Sequence, residues 1–420
     1  MEREPTDARA RPRSARHAGA VEPRLRPLAL AVLASLLGCG DVASDHPVVR
    51  AGCAWPVRAD RATLNIAYPD DGATYWATGY ALRADERLVL RGEFPDARYA
   101  SFITYGATGG AIDGLADFEI EPEAGSANPF RAPTAGAPGS PGHYRVDLRA
   151  DVAPGAVANT LAVRGDDPAT ATEEARGTVI FRVYVPNDPT SPTGGRALPS
   201  IEVLHGDGTT STVPACAHPG ADEDSIRVVE ENGPATDIPA PAVPIFVRPA
   251  NGANLYPNPD NVYVATITSH HPGRVIVLRG RAPTFPDTRA GDPPWKPAQL
   301  RYWSLCSNEY RKPYPVSACV ADFETAIDAD GWYTFVVSTP EDRPPNANAA
   351  SGITWLDWGD TTVDGLLLMR QMLAAPGFGG AAIGLPPGAP VVPGMGEWAP
   401  RGVYCERAVF ESGGATACGL

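Results

Sequence analysis

The sequence contains one domain-sized unit twice in tandem, and this duplication limits the possible folds more strongly than any local pattern. Tyr75 stands in A-T-Y-W-A-T and Tyr263 in N-V-Y-V-A-T. At the same spacing after each tyrosine comes a Leu-Arg-Gly triplet, in L-V-L-R-G-E-F-P and in I-V-L-R-G-R-A-P. The period is longer than that of solenoid or propeller repeats, which indicates that a whole domain is duplicated.

Both copies keep a set of polar residues in register. The first and the last equivalent pairs are separated by the same number of residues along the chain. The pairs between them are farther apart, because the second copy carries an insertion at residues 284 to about 299. A fold needs such groups in both copies more obviously than a single active site does, so we assign them to structure, with arginine and aspartate forming partly buried ion pairs. The shared residues are Tyr75 and Tyr263, Arg91 and Arg279, Arg98 and Arg301, Ser101 and Ser304, Asp117 and Asp322, and Arg182 and Arg370.

Short apolar segments bounded by proline and glycine predict β-strands throughout both copies. Residues 98–105 and 179–185 alternate between apolar and polar positions, which places one face inward and the other outward. The segment from Gly365 to Leu373 is rich in helix formers, yet its counterpart around Phe181 has a strand pattern, so we predict strand for both. The predicted fold is mainly β, with two tandem duplicated β-sandwich (jelly-roll-like) domains and few short helices.

The chain divides at changes of composition. Gly233 to Pro244 reads G-P-A-T-D-I-P-A-P-A-V-P, which favours an extended, semi-rigid linker. The predicted parts are a signal segment with lipobox over residues 1–38, a tether over 39–52, a first sandwich over 53–218, the Pro-rich linker over 219–244 and a second sandwich over 245–420.

The segment over residues 1–38 has the features of an export signal, because an arginine-rich start precedes an apolar stretch from Leu28 to Leu37 that is short for a membrane span. The stretch ends in Leu36-Leu37-Gly38-Cys39, which resembles a bacterial lipobox. One interpretation is a cell-envelope lipoprotein held at the membrane through an acylated Cys39. The other is an ordinary cleaved signal and a secreted protein. Both predict export.

Net charge and cysteine content limit the possible partners and the compartment of the protein. Without residues 1–38 the chain carries 28 basic and 45 acidic residues, a net charge of −17, which argues against a nucleic-acid partner. If Cys39 is acylated, six cysteines remain, and an even number in an exported chain predicts disulfides. Sequence proximity favours Cys306–Cys319 and Cys405–Cys418, which leaves Cys53–Cys216, although other pairings stay possible.

Motifs of the common enzyme and metal classes are not found in the sequence. It has no G-x-S-x-G elbow, no H-E-x-x-H motif and no Walker loop. Residues 377–382 fit G-x-G-x-x-A by letter, but no βαβ context surrounds them. We therefore predict neither a cofactor nor a metal site.

The two copies differ most between Thr284 and Cys319, and we place the candidate ligand site there. The second copy carries the insertion and a loop bracketed by Cys306 and Cys319. Aromatic side chains on pinned loops suit glycan or peptide binding, because flat rings give a large contact area at low entropic cost. The alternative is that strand tryptophans such as Trp303 belong to the core. The predicted ligand-binding residues are Trp295, Trp303, Tyr310, Lys312, Tyr314 and Arg301.

Several motifs of this chain are similar to motifs of other proteins: Y-W-A-T with L-V-L-R-G, R-Y-A-S-F, F-R-V-Y-V-P, N-P-D-N-V-Y, R-Y-W-S-L-C-S-N-E and D-G-W-Y-T-F-V-V-S-T-P-E-D-R-P. With them the chain resembles an uncharacterised family of exported bacterial proteins, over nearly all of residues 53–418. More distantly, each unit looks like the twin β-sandwich domains of unknown function found in bacterial envelope proteins. The resemblance implies a fold and export, and it brings no reaction, cofactor or catalytic residue.

The sequence is compatible with three functions. The first is a ligand-binding envelope lipoprotein that recognises a glycan, a peptide or a small molecule. The second is a hydrolase or lyase that uses Arg301, Tyr302 and Asp322 in a cleft of one sandwich, which requires these groups to lie within hydrogen-bond reach. The third is a structural protein without a ligand, which would lack a well-formed pocket.

Overall fold

The computed structural model describes residues 48–133, 142–165, 174–249 and 255–420. Residues His46–Leu420 belong to one compact unit. The signal segment and Cys39 lie outside the described residues. The mainly β prediction with few short helices is confirmed, because the described chain forms four sheets that pack as two sandwiches.

Strands account for most of the regular structure. In the first half they are β1 (Val57–Ala59), β2 (Ala73–Leu82), β3 (Arg87–Glu93), β4 (Ala97–Gly106), β5 (Ala111–Ala116), β6 (His143–Arg149), β7 (Thr160–Ala162), β8 (Ala175–Pro186), β9 (Ser200–Leu204) and β10 (Thr210–Val213). In the second half they are β11 (Asn261–Thr268), β12 (Arg274–Arg281), β13 (Tyr302–Glu309), β14 (Val316–Ala321), β15 (Trp332–Ser338), β16 (Thr354–Asp357), β17 (Gly365–Met372) and β18 (Arg401–Glu406).

The α-helices are short. They are α1 (Glu223–Asn232), α2 (Val392–Met395) and α3 (Arg407–Ala417). Within the described ranges, no helix has the length and apolar character needed to cross a membrane.

The second sandwich repeats the topology of the first. Sheet 1 has the order β1-β2-β8-β4-β5 and packs on sheet 2, with the order β10-β9-β3-β6-β7. Sheet 3 has the order β11-β17-β13-β14 and packs on sheet 4, with the order β16-β15-β12-β18. Without the additional β1 and β10, the two halves have the same strand order. A parallel pairing at the edge also recurs, between β6 and β7 and between β15 and β16.

β8 and β17 are buried on both faces along most of their length. One face of each strand enters the core of its own sandwich. The other face is covered by a segment of the opposite half, with Tyr256 beside Ile180 and Tyr68 beside Leu368. The predicted strand over Gly365 to Leu373 is confirmed, and its continuous apolar sequence follows from this double burial. The alternation in β8 therefore separates two buried faces and does not mark a solvent face.

The stretch between the sandwiches contains the helix α1, which the Pro-rich composition does not indicate. It begins after Asp222, whose carboxylate accepts a hydrogen bond from the Ser225 backbone N–H at 2.8 Å, an N-cap contact. Residues 233–244, which follow, have no regular secondary structure. Val229 of α1 packs with Leu64 of the first half and Tyr314 of the second. The linker is thus part of the packing between the halves.

Three disulfides are present: Cys53–Cys216, Cys306–Cys319 and Cys405–Cys418. The first joins the start of the first sandwich to its end, the second joins neighbouring strands β13 and β14, and the third fastens α3 to β18. Their presence indicates an oxidising, extracytoplasmic environment.

Candidate functional site

The two shared aspartates pair with shared arginines of the opposite copy. Arg98 Nη1 of the first copy donates to Asp322 Oδ1 of the second at 2.5 Å, and both side chains are fully buried. Conversely, Arg301 Nη1 of the second copy lies 3.4 Å from Asp117 Oδ1 of the first. Each carboxylate also accepts a backbone N–H from its own copy. Each copy therefore supplies the counter-charge that the other needs.

Burial raises the pKa of both carboxyl groups. The pKa of Asp117 rises to about 7 and that of Asp322 to about 6, because loss of hydration outweighs the facing arginine charges and the backbone hydrogen bonds, which lower it. Both groups take up protons in the folded protein at a higher pH than in an unfolded chain.

A second reciprocal contact joins the tyrosines of β4 and β13 to the turns before β2 and β11. Tyr302 Oη donates to Asp70 Oδ1 at 2.8 Å. In the opposite direction, Tyr99 Oη donates to Asp260 Oδ2 at 2.6 Å and lies 3.2 Å from Asn258 Nδ2. Asp70 and Asn258 are equivalent positions of the duplication, since they precede Tyr75 and Tyr263 by the same spacing.

A third reciprocal contact involves the buried arginines of β8 and β17. Arg182 Nη2 donates to the carbonyl oxygen of Tyr256 at 2.8 Å, and Arg370 Nη2 donates to the carbonyl oxygen of Tyr68. Both arginines are 2% exposed. The two tyrosines have φ angles of 52° and 55°, a left-handed conformation that is uncommon for large side chains. The chain bends there in each copy and presents a carbonyl to the arginine of the other copy.

These contacts occupy the groups that the enzyme hypothesis requires. Arg301 pairs with Asp117, Tyr302 donates to Asp70, and Asp322 accepts from Arg98. All three side chains lie at the interface between the sandwiches, and none of them lines the cavity between sheet 1 and sheet 3. Each has a structural partner, so the arrangement offers no cluster of free acid, base or nucleophile.

A cavity of about 1030 Å³ lies between sheet 1 and sheet 3. Strands β1, β2 and β8 form one wall, and β11 and β17 form the other. Residues 64–69 and 255–259, together with parts of the linker, complete the lining, which is predominantly apolar. Its volume is at the upper end of the ~300–1,000 Å³ typical of small-molecule sites.

Equivalent residues of the two copies line this cavity. Small alanines sit at matching places in β2 and β11 and leave space between the sheets. The cavity therefore belongs to the interface and not to one sandwich. The equivalent lining pairs, all in the same register, are Tyr68 and Tyr256, Tyr75 and Tyr263, Ala77 and Ala265, Ile180 and Leu368, and Arg182 and Arg370.

The cavity also contains polar groups. Tyr75 Oη and Tyr184 Oη lie 3.0 Å apart, and both side chains line the cavity. Burial, reinforced by the charge of Asp70, raises the pKa of Tyr75 to about 12. These hydroxyls are therefore neutral hydrogen-bonding groups at physiological pH. Three arginines also line the cavity: the buried Arg182 and Arg370, and the partly buried Arg248.

The structure does not bring the six predicted ligand-binding residues together. Trp303 is 1% exposed in the core of the second sandwich, where its Nε1 donates to the Pro283 carbonyl oxygen at 3.1 Å. Arg301 is held at the sandwich interface by Asp117. Of the six, Tyr310 lines the cavity.

The bracketed loop of the second copy packs on the linker. Tyr314 is fully buried and donates to the Pro234 carbonyl oxygen, and Lys312 Nζ donates to the Glu230 carbonyl oxygen. Trp295 is 38% exposed and lies in the insertion. Tyr314 of this loop therefore packs against the linker and is not free to bind a ligand. Sequence spacing does not reveal this contact, because the linker is distant in the chain.

The lining of the cavity was only partly detectable in the sequence. Tyr75, Arg182 and their counterparts stand out because both copies keep them, yet that retention alone points to the fold. A further signal is the unbroken apolar run of β17 beside Arg370, since a sandwich strand with one solvent face would alternate. Two buried faces imply a second packing surface, and the cavity lies within it.

No protein-family model matches the chain, and a comparison with curated proteins also gives no match. Among solved structures, an uncharacterised protein from Burkholderia cenocepacia is similar at 14% identity with a TM-score of 0.47, covering 84% of this chain and 82% of that one. A protein from Vibrio parahaemolyticus is similar at 11% identity with a TM-score of 0.41, covering 80% of this chain and 90% of that one.

Proposed function

We propose that this protein is an exported envelope lipoprotein that binds a small, largely apolar ligand in the cavity between its two sandwiches. The observation that carries the proposal is the cavity of about 1030 Å³, whose walls come from equivalent strands of both copies. Large apolar cavities with a few convergent polar groups are the usual form of a small-molecule site.

The composition of the cavity wall supports a small apolar molecule over the glycan and the peptide that the sequence also leaves open. Glycans need many hydrogen-bonding partners, whereas this wall consists mainly of Ala, Val, Ile, Leu, Pro and Tyr side chains. An extended peptide would also leave its backbone groups without partners there, at a cost of about 1–3 kcal/mol for each buried group. A small molecule with a large apolar part avoids both penalties, and its transfer from water is favourable.

The place of action in this proposal is the cell envelope. The three disulfides support an oxidising compartment, and the lipobox-like sequence ending at Cys39 supports a lipid anchor. Labelling of growing cells with a palmitate analogue tests the anchor directly. Wild-type protein is expected to incorporate the label and the Cys39→Ser variant is not, and equal labelling of the two would refute acylation at this cysteine.

Filling the cavity tests the binding function. Nile red, a neutral apolar dye, is expected to fluoresce when it binds the folded wild-type protein. Ala265→Trp places an indole in the cavity from β11 and should abolish most of this fluorescence. Thr212→Trp adds the same side chain at an exposed position of β10 and should leave the fluorescence unchanged.

The result depends on the fold remaining intact, so both variants are first compared with wild type by circular dichroism and thermal melting. Ala77→Trp, at the equivalent place in β2, provides an independent block of the same cavity. Wild-type protein that leaves Nile red unbound, or dye binding that persists in both cavity variants, would contradict the proposed function.

A further inference from the structure

We propose that the ligand is an amphiphilic carboxylic acid whose carboxylate is bound by Arg182. This inference rests on the binding function proposed above and specifies the chemistry of its ligand. It follows from a difference between the two buried arginines that line the cavity, and the duplication itself supplies the comparison.

Arg182 is a buried cation with unused hydrogen-bonding capacity. Its Nη2 donates to the Tyr256 carbonyl oxygen at 2.8 Å, whereas no described residue accepts a hydrogen bond from its buried Nη1. The rings of Tyr75 and Tyr105 lie 5.5 and 5.3 Å from the guanidinium carbon, so cation–π contacts provide part of its stabilisation. They do not neutralise its charge.

The equivalent arginine of the second copy has a counter-ion. Arg370 Nη1 lies 3.5 Å from Asp70 Oδ2, which also accepts a hydrogen bond from Ser304 Oγ at 2.6 Å. The residue equivalent to Asp70 is Asn258, which offers no charge to Arg182. The Ser101 hydroxyl, equivalent to that of Ser304, is likewise buried and accepts or donates no hydrogen bond of normal geometry within the described ranges.

The orientation of Asn258 excludes its oxygen as a substitute acceptor. Asn258 Oδ1 accepts from the Asp260 backbone N–H at 3.0 Å, just as Asp70 Oδ1 accepts from the Gly72 backbone N–H at 2.8 Å. Its amide nitrogen therefore occupies the place of the charged Asp70 Oδ2. A flipped amide would direct a donor at the Asp260 N–H, so the observed orientation is the one that the hydrogen bonds select.

Within the described part of the chain, no carboxylate oxygen lies within 4.0 Å of the Arg182 guanidinium. Asp260 is a carboxylate that senses the Arg182 charge: burial raises the pKa of Asp260, and Arg182 is one of the groups that lower it by a smaller amount. Asp260 is nevertheless too far from the guanidinium for an ion pair, and its carboxylate accepts a hydrogen bond from the Tyr99 hydroxyl instead. A buried, unpaired cation is costly, and a ligand that brings its own negative charge removes this cost.

The chemistry of the cavity identifies the rest of the ligand. Next to Arg182 the wall is formed by side chains such as Ile180, Ala77 and Leu368, which suit an alkyl chain or a ring system. Arg248 also lines the cavity, but it is only partly buried and donates to the carbonyl oxygens of Ile383 and Leu385. The fully buried Arg182 matches one negative charge, and a carboxylate can accept from a guanidinium through two oxygens. A fatty acid or an aromatic carboxylic acid has both properties.

The test compares an acid with its uncharged ester. The probes are a dansyl-labelled medium-chain fatty acid and its methyl ester, titrated into the full mature protein at pH 7.5 and followed by dansyl fluorescence. We expect wild-type protein to bind the acid roughly ten-fold or more tightly than the ester, because a hydrogen bond to a charged group is added.

Two variants test the unpaired charge in different ways, one by removing it and the other by giving it a partner. Arg182→Met replaces the guanidinium with an apolar side chain, and Asn258→Asp installs the counter-ion that Asp70 provides for Arg370. In each variant we expect the acid to bind no more tightly than the ester does to the same variant, so that the ratio of the two affinities falls to about one. Thr212→Asp adds the same charge at an exposed site and should keep the preference of the wild type.

The possible outcomes separate the two proposals. Equal binding of acid and ester by wild-type protein, or a preference that persists in folded Asn258→Asp protein, would overturn the role of Arg182 and leave the cavity as a ligand site. Absence of binding for both probes would overturn the proposed function and the inference with it.

Discussion

At the residue scale, the buried pair of Arg98 and Asp322 connects the duplication to stability. Both side chains are fully buried, and they come from different copies. We expect Arg98→Met to lower the free energy of unfolding by about 3–5 kcal/mol at pH 8, because Asp322 then remains as a buried charge without its partner. Urea unfolding monitored by tryptophan fluorescence measures this difference.

A surface pair provides the matched control. Arg91 donates to Glu123 at 2.6 Å, but each side chain is 41% exposed, so water screens the pair. Arg91→Met should cost no more than about 1 kcal/mol. Similar losses in the two variants would mean that burial does not set the strength of the Arg98 pair.

The same carboxylates predict a pH dependence. Burial raises the pKa of Asp117 from 3.8 to about 7 and that of Asp322 from 3.8 to about 6. At pH values between the unfolded and the folded pKa of each group, the folded protein holds more protons than the unfolded chain. The contribution of both groups to stability is therefore greatest at low pH and decreases as the pH rises towards 7. Above that pH it remains constant.

Replacement of one carboxyl isolates this contribution. Asp117→Asn keeps the shape and cannot ionise, so its melting temperature should fall less than that of wild type between pH 4.5 and pH 7.5. The difference between the two melting curves cancels the other titrating groups. A wild-type melting temperature that falls no more steeply than that of the variant would show that Asp117 does not bind protons in this range.

At the element scale, periodicity and the repeat predict the strands well, and contacts between distant segments explain what they miss. The residues of β17 favour helix, but the equivalent segment in the first copy, β8, has a strand pattern. The repeat therefore predicts that β17 is a strand. Helix α1 precedes the prolines of residues 233–244 and contains none itself, so a linker assigned from those prolines misses it. Helix α3 (Arg407–Ala417) contains two glycines and is kinked at Gly414, where φ is 63°. Both helices are held by tertiary contacts, since Val229 and Phe410 are completely buried.

The candidate site was predictable to a smaller extent. The sequence identifies Arg182 and Arg370 as shared residues, but only the structure shows that Asp70 neutralises one of them and not the other. The aromatic loop around Tyr310 was expected to bind a ligand, and most of its side chains pack on the linker. Such assignments depend on which segments meet in space, and a single sequence does not contain that information.

Helix α3 allows a prediction about its disulfide. Cys405–Cys418 and Cys306–Cys319 both close 13-residue separations, so the loop entropy they remove from the unfolded chain is similar. The first fastens a terminal helix, whereas the second joins strands that already pair. Replacing Cys405 and Cys418 by alanine should therefore accelerate amide hydrogen exchange throughout α3.

The matched control is the alanine pair at Cys306 and Cys319, for which the ladder between β13 and β14 should keep exchange slow. Hydrogen exchange followed by mass spectrometry resolves both segments. Unchanged exchange in α3 after loss of its disulfide would show that the buried side chain of Phe410 is sufficient to hold the helix.

At the scale of the whole molecule, the duplication has produced one body rather than two independent domains. Reciprocal contacts cross the interface at equivalent positions, and the residues that both copies keep are concentrated there. An interface built from equal halves tends towards symmetry, and the exchange of Asp70 for Asn258 breaks that symmetry at one arginine. The same duplication thus accounts for the reciprocal contacts between the sandwiches and for a buried arginine of the cavity wall, Arg182, that has no ion pair among the described residues.

The last prediction concerns the dependence of the two halves on each other. Residues 245–420 alone would expose the outer face of sheet 3, including Leu366 and Leu368, and would leave Asp322 without Arg98. We therefore expect this fragment to aggregate when it is produced alone in an oxidising compartment. Co-expression with residues 53–244 should yield a soluble one-to-one complex, since each of the three disulfides lies within one half. The same co-expression with Arg98→Met in the first fragment should yield less complex. Size-exclusion chromatography with light scattering measures the assembly, and a folded, monodisperse second fragment on its own would contradict the mutual dependence.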